Sequence, residues 1–340
     1  MRRASCVAFV LIALLLSQFA SAAMLASQFG RRYGALEIYD AQSKLSFRVN
    51  MPRLQEELPP CSSYMVPLFA IALGTGVIKD NDSKIAFDPA KHPGSENWPA
   101  SWKRDQTFDT ALRDSVQWYA QELALRIGAA RLQQNMKRLK YGNADISGGL
   151  DKFWMSSSLR LSTFQQIDFA RNFRDGKLGF NPRVTKVLQE ALVIERTPDY
   201  TIYGKYGSCP MPDGKYLGWL VGYVERLGKV YYYALNLDGK SLADFSGVRL
   251  QIVKGSMQEL GFIPCATASA AVGTGSGSRS GSGAGAGPRC GTARRRRGAD
   301  RSGSKLTPPL SPNIPQAIDF TVGADLLREL LARASKEIAG

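Results

Sequence analysis

Histidine is nearly absent: His92 is the single one in 340 residues. A Ser-His-Asp or Cys-His catalytic centre would have to be built on that residue, and a zinc site with several imidazole ligands is excluded. Any nucleophile must therefore find another base. His92 itself sits in a polar stretch, Asp88 to Asn97, and is expected to be a solvated loop residue. Long hydrophobic runs are scarce as well. The longest, Val7 to Leu16, falls short of the roughly 20 apolar residues that span a bilayer. It follows Arg2 and Arg3 and precedes the small residues Ser21-Ala22-Ala23, the order of a secretory signal peptide. Residues 1–23 are read as a cleaved leader, and the rest as a periplasmic or secreted protein with no transmembrane segment.

Acids are outnumbered. The formal net charge is +15, which at face value suits a polyanionic partner. Much of that surplus is crowded into Arg279, Arg289, Arg294 to Arg297, Arg301 and Lys305, opposed there by Asp300 alone. These lie in a Gly/Ser/Ala-rich stretch, residues 265–311, with too little side chain to offset its conformational entropy, so it is expected to be a disordered linker. The tail that follows, 312–340, carries Val322, Leu326, Leu327, Leu330, Leu331 and Ala334 at helical spacing. The remaining body, 24–264, is only moderately basic, and nucleic acid is not the expected partner.

The body reads as mixed α and β. Ala35 to Asp40 and Lys44 to Asn50 alternate apolar and polar about a short turn, and strand patterns return at Tyr200 to Tyr206, Tyr216 to Glu225 and Val230 to Leu237. Between them the spacing is helical, as in Tyr119, Leu123, Ile127 and Leu132, Met136, Leu139, and a last helix runs from Val248 to Leu260. Strands at both ends with helices between predict one antiparallel sheet flanked by helices, with a helical insert at about 80–195 beside it. In Pro59-Pro60-Cys61-Ser62-Ser63-Tyr64-Met65-Val66-Pro67, leading into the apolar helix Leu68 to Leu73, the serines stand where an N-cap belongs. That places Ser62 at the positive end of a helix, where an oxyanion is stabilised.

Other segments join this one. Ser62-Ser63-Tyr64-Met65-Val66-Pro67 with Ala72-Leu73-Gly74-Thr75-Gly76, then Trp102 to Thr107, Ser115-Val116 with Gln121-Glu122-Leu123-Ala124, Tyr141-Gly142-Asn143 through Gly149 with Phe153-Trp154, Glu195 to Tyr200, Lys205-Tyr206-Gly207 and Gly218 to Arg226 follow in order over about residues 31–264. This series resembles the class D (oxacillinase-type) serine β-lactamases. The resemblance implies a transpeptidase-like α/β fold and a serine, Ser62, that attacks the β-lactam carbonyl to form an acyl-enzyme. It implies further that Ser115 relays protons and that the backbone N–H groups of Ser62 and Ser208 form the oxyanion hole. Lys205 and Arg249 would hold the substrate carboxylate, and Tyr141 and Asn143 would line the pocket. No metal or cofactor is implied; the expected ligand is a β-lactam or a peptidoglycan stem peptide.

The departures from that family are specific. Its S-x-x-K lysine, which becomes carboxylated and serves as the general base, is Met65 here, and a thioether carries no carbamate and takes no proton. The apolar third residue of its S-x-V motif is Gln117, and Trp154, its hydrogen-bond donor to the carbamate, is left with nothing obvious to hold. Its K-T-G motif reads Lys205-Tyr206-Gly207, with a phenol in place of a small hydroxyl residue, long enough to obstruct the site. General base assistance is worth about 10²–10⁴-fold per step, so turnover is expected to be impaired; Lys205 and Tyr141 are the candidates to substitute as base, although the resemblance gives each another role in the pocket. Three functions follow: a β-lactamase with feeble deacylation, a penicillin- or peptidoglycan-binding sensor, or a paralogue that has lost its chemistry. Cys61, Cys209, Cys265 and Cys290 would allow two bridges in an oxidising compartment. By the resemblance Cys61 and Cys209 both border the site, and a Cys61–Cys209 bridge is one of the open pairings.

Overall fold

Side-chain alternation across long paired strands gives the protein its layers. The computed structural model describes residues 24–265 apart from 81, 93, 94, 156 and 157; the expected leader and, beyond Cys265, the expected linker and tail lie outside them. Six strands form one sheet in the order β2-β1-β8-β7-β6-β5, every neighbouring pair antiparallel. They are β1 (Gly34–Asp40), β2 (Ser46–Val49), β5 (Val193–Arg196), β6 (Thr201–Pro210), β7 (Tyr216–Arg226) and β8 (Lys229–Gly239). The mixed α/β class with an antiparallel sheet is as expected from the sequence. Strand β6 runs four residues further than the apolar pattern predicts, because Gly207 to Pro210 keep pairing with Tyr216 to Trp219.

Period two in β7 sends Leu220 and Val224 to one face and Trp219, Val221 and Tyr223 to the other. The first face packs against helix α8 (Val248–Glu259) through Ile252, Val253 and Met257. The second is covered by α6 (Thr163–Arg174) through Ile167 and Ala170. Both faces of the sheet are thus buried, which removes the polar alternation of a solvent-facing strand.

A second core belongs to the helices between β2 and β5. The first of these helices, α1 (Met51–Gln55), instead lies against β1. At the centre of the second core is α2 (Met65–Gly74), whose residues Met65 to Ala72 are all buried. A helix apolar on every side must be enclosed. Here α3 (Phe108–Asp114), α4 (Gln117–Ile127) and α7 (Pro182–Ala191) pack on it, and α5 (Ala129–Leu139) packs against α4. A two-stranded ribbon, β3 (Lys84–Ile85) with β4 (Gln106–Thr107), also lies in this segment. The sequence pattern does not announce it, since two residues are too few for a period.

His92 lies in the expected loop but is only half-exposed, because aromatic rings close around it. Its ring stacks on Phe87 at 5.8 Å and meets Trp98 and Trp118 at 5.6 Å each. Burial among these rings lowers the imidazole pKa. The aromatic contacts come from Phe87 and Trp98 in the same segment and from Trp118 in α4, which the polar letters around His92 do not announce.

Candidate active site

The nucleophile region folds differently from the expected capped helix. Cys61–Tyr64 form a 3₁₀ turn and the α-helix begins at Met65, with Tyr64 as an N-cap residue that makes no side-chain cap bond. Ser62 and Ser63 therefore lie in the turn rather than capping α2. Cys61 takes a left-handed conformation, φ 51°, which lets the chain leave Pro60 and enter the turn.

Both layers pin this turn. Trp154 O accepts the Cys61 N–H at 3.0 Å, and Trp219 Nε1 donates to Pro59 O at 2.9 Å. A disulfide joins Cys61 to Cys209 on β6, with Cα atoms 5.5 Å apart, so this one of the open pairings is made. Gly207 is required by the approach of β6: a Cβ there would stand 2.8 Å from both Pro60 O and Ser63 N. Pairing with β5 reaches only to Tyr203, so the outer edge of β6 beyond Gly204 is given over to the nucleophile turn.

Ser62, 5% exposed, accepts a hydrogen bond at Oγ from Gln117 Nε2, at 2.7 Å. Gln117 Oε1 in turn accepts from Trp154 Nε1, at 3.3 Å. The indole of Trp154, which the sequence left with nothing to hold, thus holds Gln117. Met65 is fully buried in the helical core. Ser115 occupies the turn between α3 and α4 in a left-handed conformation, φ 55°, and Lys205 Nζ donates to its Oγ. Burial, with a smaller contribution from Arg249, pulls the Lys205 pKa from 10.5 down to about 7. Behind Lys205 lies an apolar cavity walled by Val66, Phe169, Val221 and Tyr223.

The other expected site residues have structural partners of their own. Arg249 Nη1 donates to Gly207 O at 2.8 Å, Trp219 O at 2.9 Å and Ser208 Oγ at 2.9 Å. Burial lowers its pKa to about 10, partly opposed by Tyr206. It clamps β6 from the α8 side. Tyr206 follows Lys205 on a strand, so it points to the opposite face, where Arg249 lies 4.8 Å above its ring. The phenol that was expected to obstruct the site is therefore packed against Arg249. Tyr141 is buried behind the turn, 3.4 Å from Gln166 Oε1, while Gln166 Nε2 donates to Ser63 Oγ at 2.9 Å. Burial pushes its phenol pKa up, away from the phenolate that a base would need. Asn143 is exposed and spends its amide on its own loop, donating to Ser158 O at 2.9 Å and accepting from the Asp145 and Arg160 N–H groups at 3.1 Å each.

The structure thus brings together Ser62, Gln117, Trp154, Ser115 and Lys205, with Gly207 and Ser208 on the facing strand. Sequence reasoning missed Gln117 as a site residue, and Gln166 as the support of Ser63. The polar third residue of Ser115-Val116-Gln117 was the available signal for the first; Gln166, in mid-helix, gives none.

Comparison with known proteins agrees with this fold. The penicillin binding protein transpeptidase domain model matches residues 34–258. Beta-lactamase OXA-48 of Klebsiella pneumoniae is 32% identical over 231 residues, covering 68% of this chain and 84% of that protein. The class D β-lactamase YbXI from Nostoc superposes with a TM-score of 0.66 at 30% identity, over 70% of this chain and 98% of that one. The regulatory protein BlaR1 of Bacillus licheniformis is 26% identical, over 68% of this chain and 37% of that protein. The chain belongs to the penicillin-binding protein transpeptidase family and has the class D β-lactamase-like fold.

Proposed function

We propose that the protein forms a long-lived acyl-enzyme at Ser62 with β-lactams or with peptidoglycan stem peptides, hydrolysing it feebly. Ser62 Oγ attacks the lactam carbonyl carbon, the C–O bond forms, the C–N bond breaks, and the serine proton travels through Ser115 and Lys205 to the departing nitrogen. Lys205, with its pKa held near 7, is partly neutral at neutral pH and so able to accept a proton before it returns one. The Ser62 and Ser208 backbone N–H groups receive the oxyanion, and the charge of Arg249 attracts the substrate carboxylate while Lys205 serves as the proton carrier.

The observation that carries this reading is the partner of Ser62 Oγ. It is a carboxamide, while the S-x-x-K position is a buried methionine. Neither group takes a proton from the water that must release the acyl chain. Labelling with a fluorescent penicillin, followed by gel and intact mass, tests it. A stoichiometric label that persists is expected. Rapid loss of label would overturn the slow deacylation, and no label at all would leave the paralogue without chemistry. Similarity to a regulatory protein favours a second reading, in which the acylated state is itself the output. The Cys61–Cys209 bridge is in keeping with an exported protein in an oxidising compartment.

A further inference from the structure

The contacts of Gln117 fix its orientation chemically. An indole N–H only donates, so the carboxamide oxygen faces Trp154 and the NH₂ group faces Ser62. Ser62 Oγ is then an acceptor toward Gln117, and its own proton points away from that group. Gln117 is the first residue of α4 and lies two positions after Ser115, so one backbone turn sets both the residue on Ser62 and the residue on Lys205. Met65, on the neighbouring helix, presents no polar atom to compete for either partner of the amide.

We propose that Gln117 belongs to the catalytic machinery: its NH₂ group orients Ser62 for attack, and its lack of a basic atom is what leaves the acyl-enzyme uncleaved by water. The second half rests on the acyl-enzyme reading above; the first does not. During acylation the N–H donor stabilises the charge that develops on Oγ. Hydrolysis of the ester needs the attacking water to lose a proton as the C–Oγ bond breaks, and Oγ to gain one. A carboxylate of the same length would take that proton from water and return it to Oγ, while still accepting from Trp154.

Two variants of the full chain test this, Gln117→Glu and Gln117→Met. Fluorescent-penicillin label should leave Gln117→Glu at least about 10²-fold faster than wild type, the magnitude of general base assistance, with a rate that rises as the introduced carboxylate ionises between pH 4 and 8. Gln117→Met, matched in size, should acylate at least about 10-fold more slowly. Equal label lifetimes in Gln117→Glu and wild type overturn the second half, and equal acylation rates in Gln117→Met and wild type overturn the first. If penicillin labels no variant, the acyl-enzyme reading has failed, and sulfonylation of Ser62 by phenylmethylsulfonyl fluoride decides the orienting role by the same comparison. If Gln117→Met does not fold, the Trp154 indole N–H resonance in Gln117→Glu decides: a shift that follows the carboxylate titration supports the contact, and a pH-independent shift overturns it.

Discussion

Lys205 and Ser115, ninety residues apart in the chain, are hydrogen-bonded Nζ to Oγ. The bond crosses from the sheet to the helical core, so the two cores meet at this pair. Burial has brought the lysine to the point where it loses its proton near pH 7. Acylation of Ser62 should therefore rise with pH through about 7 and level off above it. Lys205→Met should remove that step and lower the rate by about 10²–10⁴-fold. A flat profile for wild type between pH 5.5 and 8.5 in stopped-flow labelling would show that Lys205 accepts no proton.

The same burial has a stability consequence. The unfolded chain keeps Lys205 protonated to about 10.5, whereas the folded chain gives the proton up near 7. The unfolded state thus binds more protons in that window, and the contribution of this group to stability rises as pH increases from 7 to 10.5. Urea titrations should show wild type gaining on Lys205→Met across that range. A gap independent of pH would mean that the amine is solvated.

The Cys61–Cys209 bridge closes a sequence separation of 148 residues beside the nucleophile. Loop entropy of that size predicts a loss of about 2–5 kcal/mol for Cys209→Ser. Because Cys61 precedes Ser62 directly, slower labelling should accompany the lower stability. Chemical denaturation paired with labelling kinetics measures both, and unchanged labelling at full folding would separate the bridge from the site.

Restoring a lysine at position 65 is expected to depend on position 117. The Gln117 amide stands between Ser62 and Trp154, so Met65→Lys alone should raise nitrocefin hydrolysis less than Met65→Lys with Gln117→Val in bicarbonate buffer. The double variant should gain about 10²–10⁴-fold, and neighbouring sites of this kind are not additive. Strictly additive rates would show that the two positions act separately.

Arg249→Met removes one donor from three acceptors, two of them backbone carbonyls of β6 and β7. Buried acceptors left unpaired cost roughly 1–3 kcal/mol each, so a drop in melting temperature is expected with or without ligand. A variant as stable as wild type but with weakened penicillin binding would assign Arg249 to the substrate alone.

The long strands, the enclosed helix at Met65–Gly74 and the terminal helix at Val248–Glu259 were legible because their apolar periods are local. The start of the nucleophile helix was not, because Ser62 and Ser63 resemble N-cap residues by letter while the disulfide and the Trp154 and Trp219 bonds hold them in a 3₁₀ turn. Likewise, Asn143 was placed in the pocket by the resemblance, but its amide is engaged in holding its own loop, while Arg249 proves to hold strand β6 through Nη1 as well.

By itself the sequence determined the antiparallel α/β class, a property of residue type and spacing, and the ordered motifs that resemble the family, from which follows the expectation that Met65 stands where the family has its base lysine. Only the tertiary structure decided what surrounds Ser62. Gln117 reaches it across 55 residues of sequence, and Trp154 fixes which end of the amide it offers. Such contacts depend on how two cores pack against each other, and no period within either segment records that path.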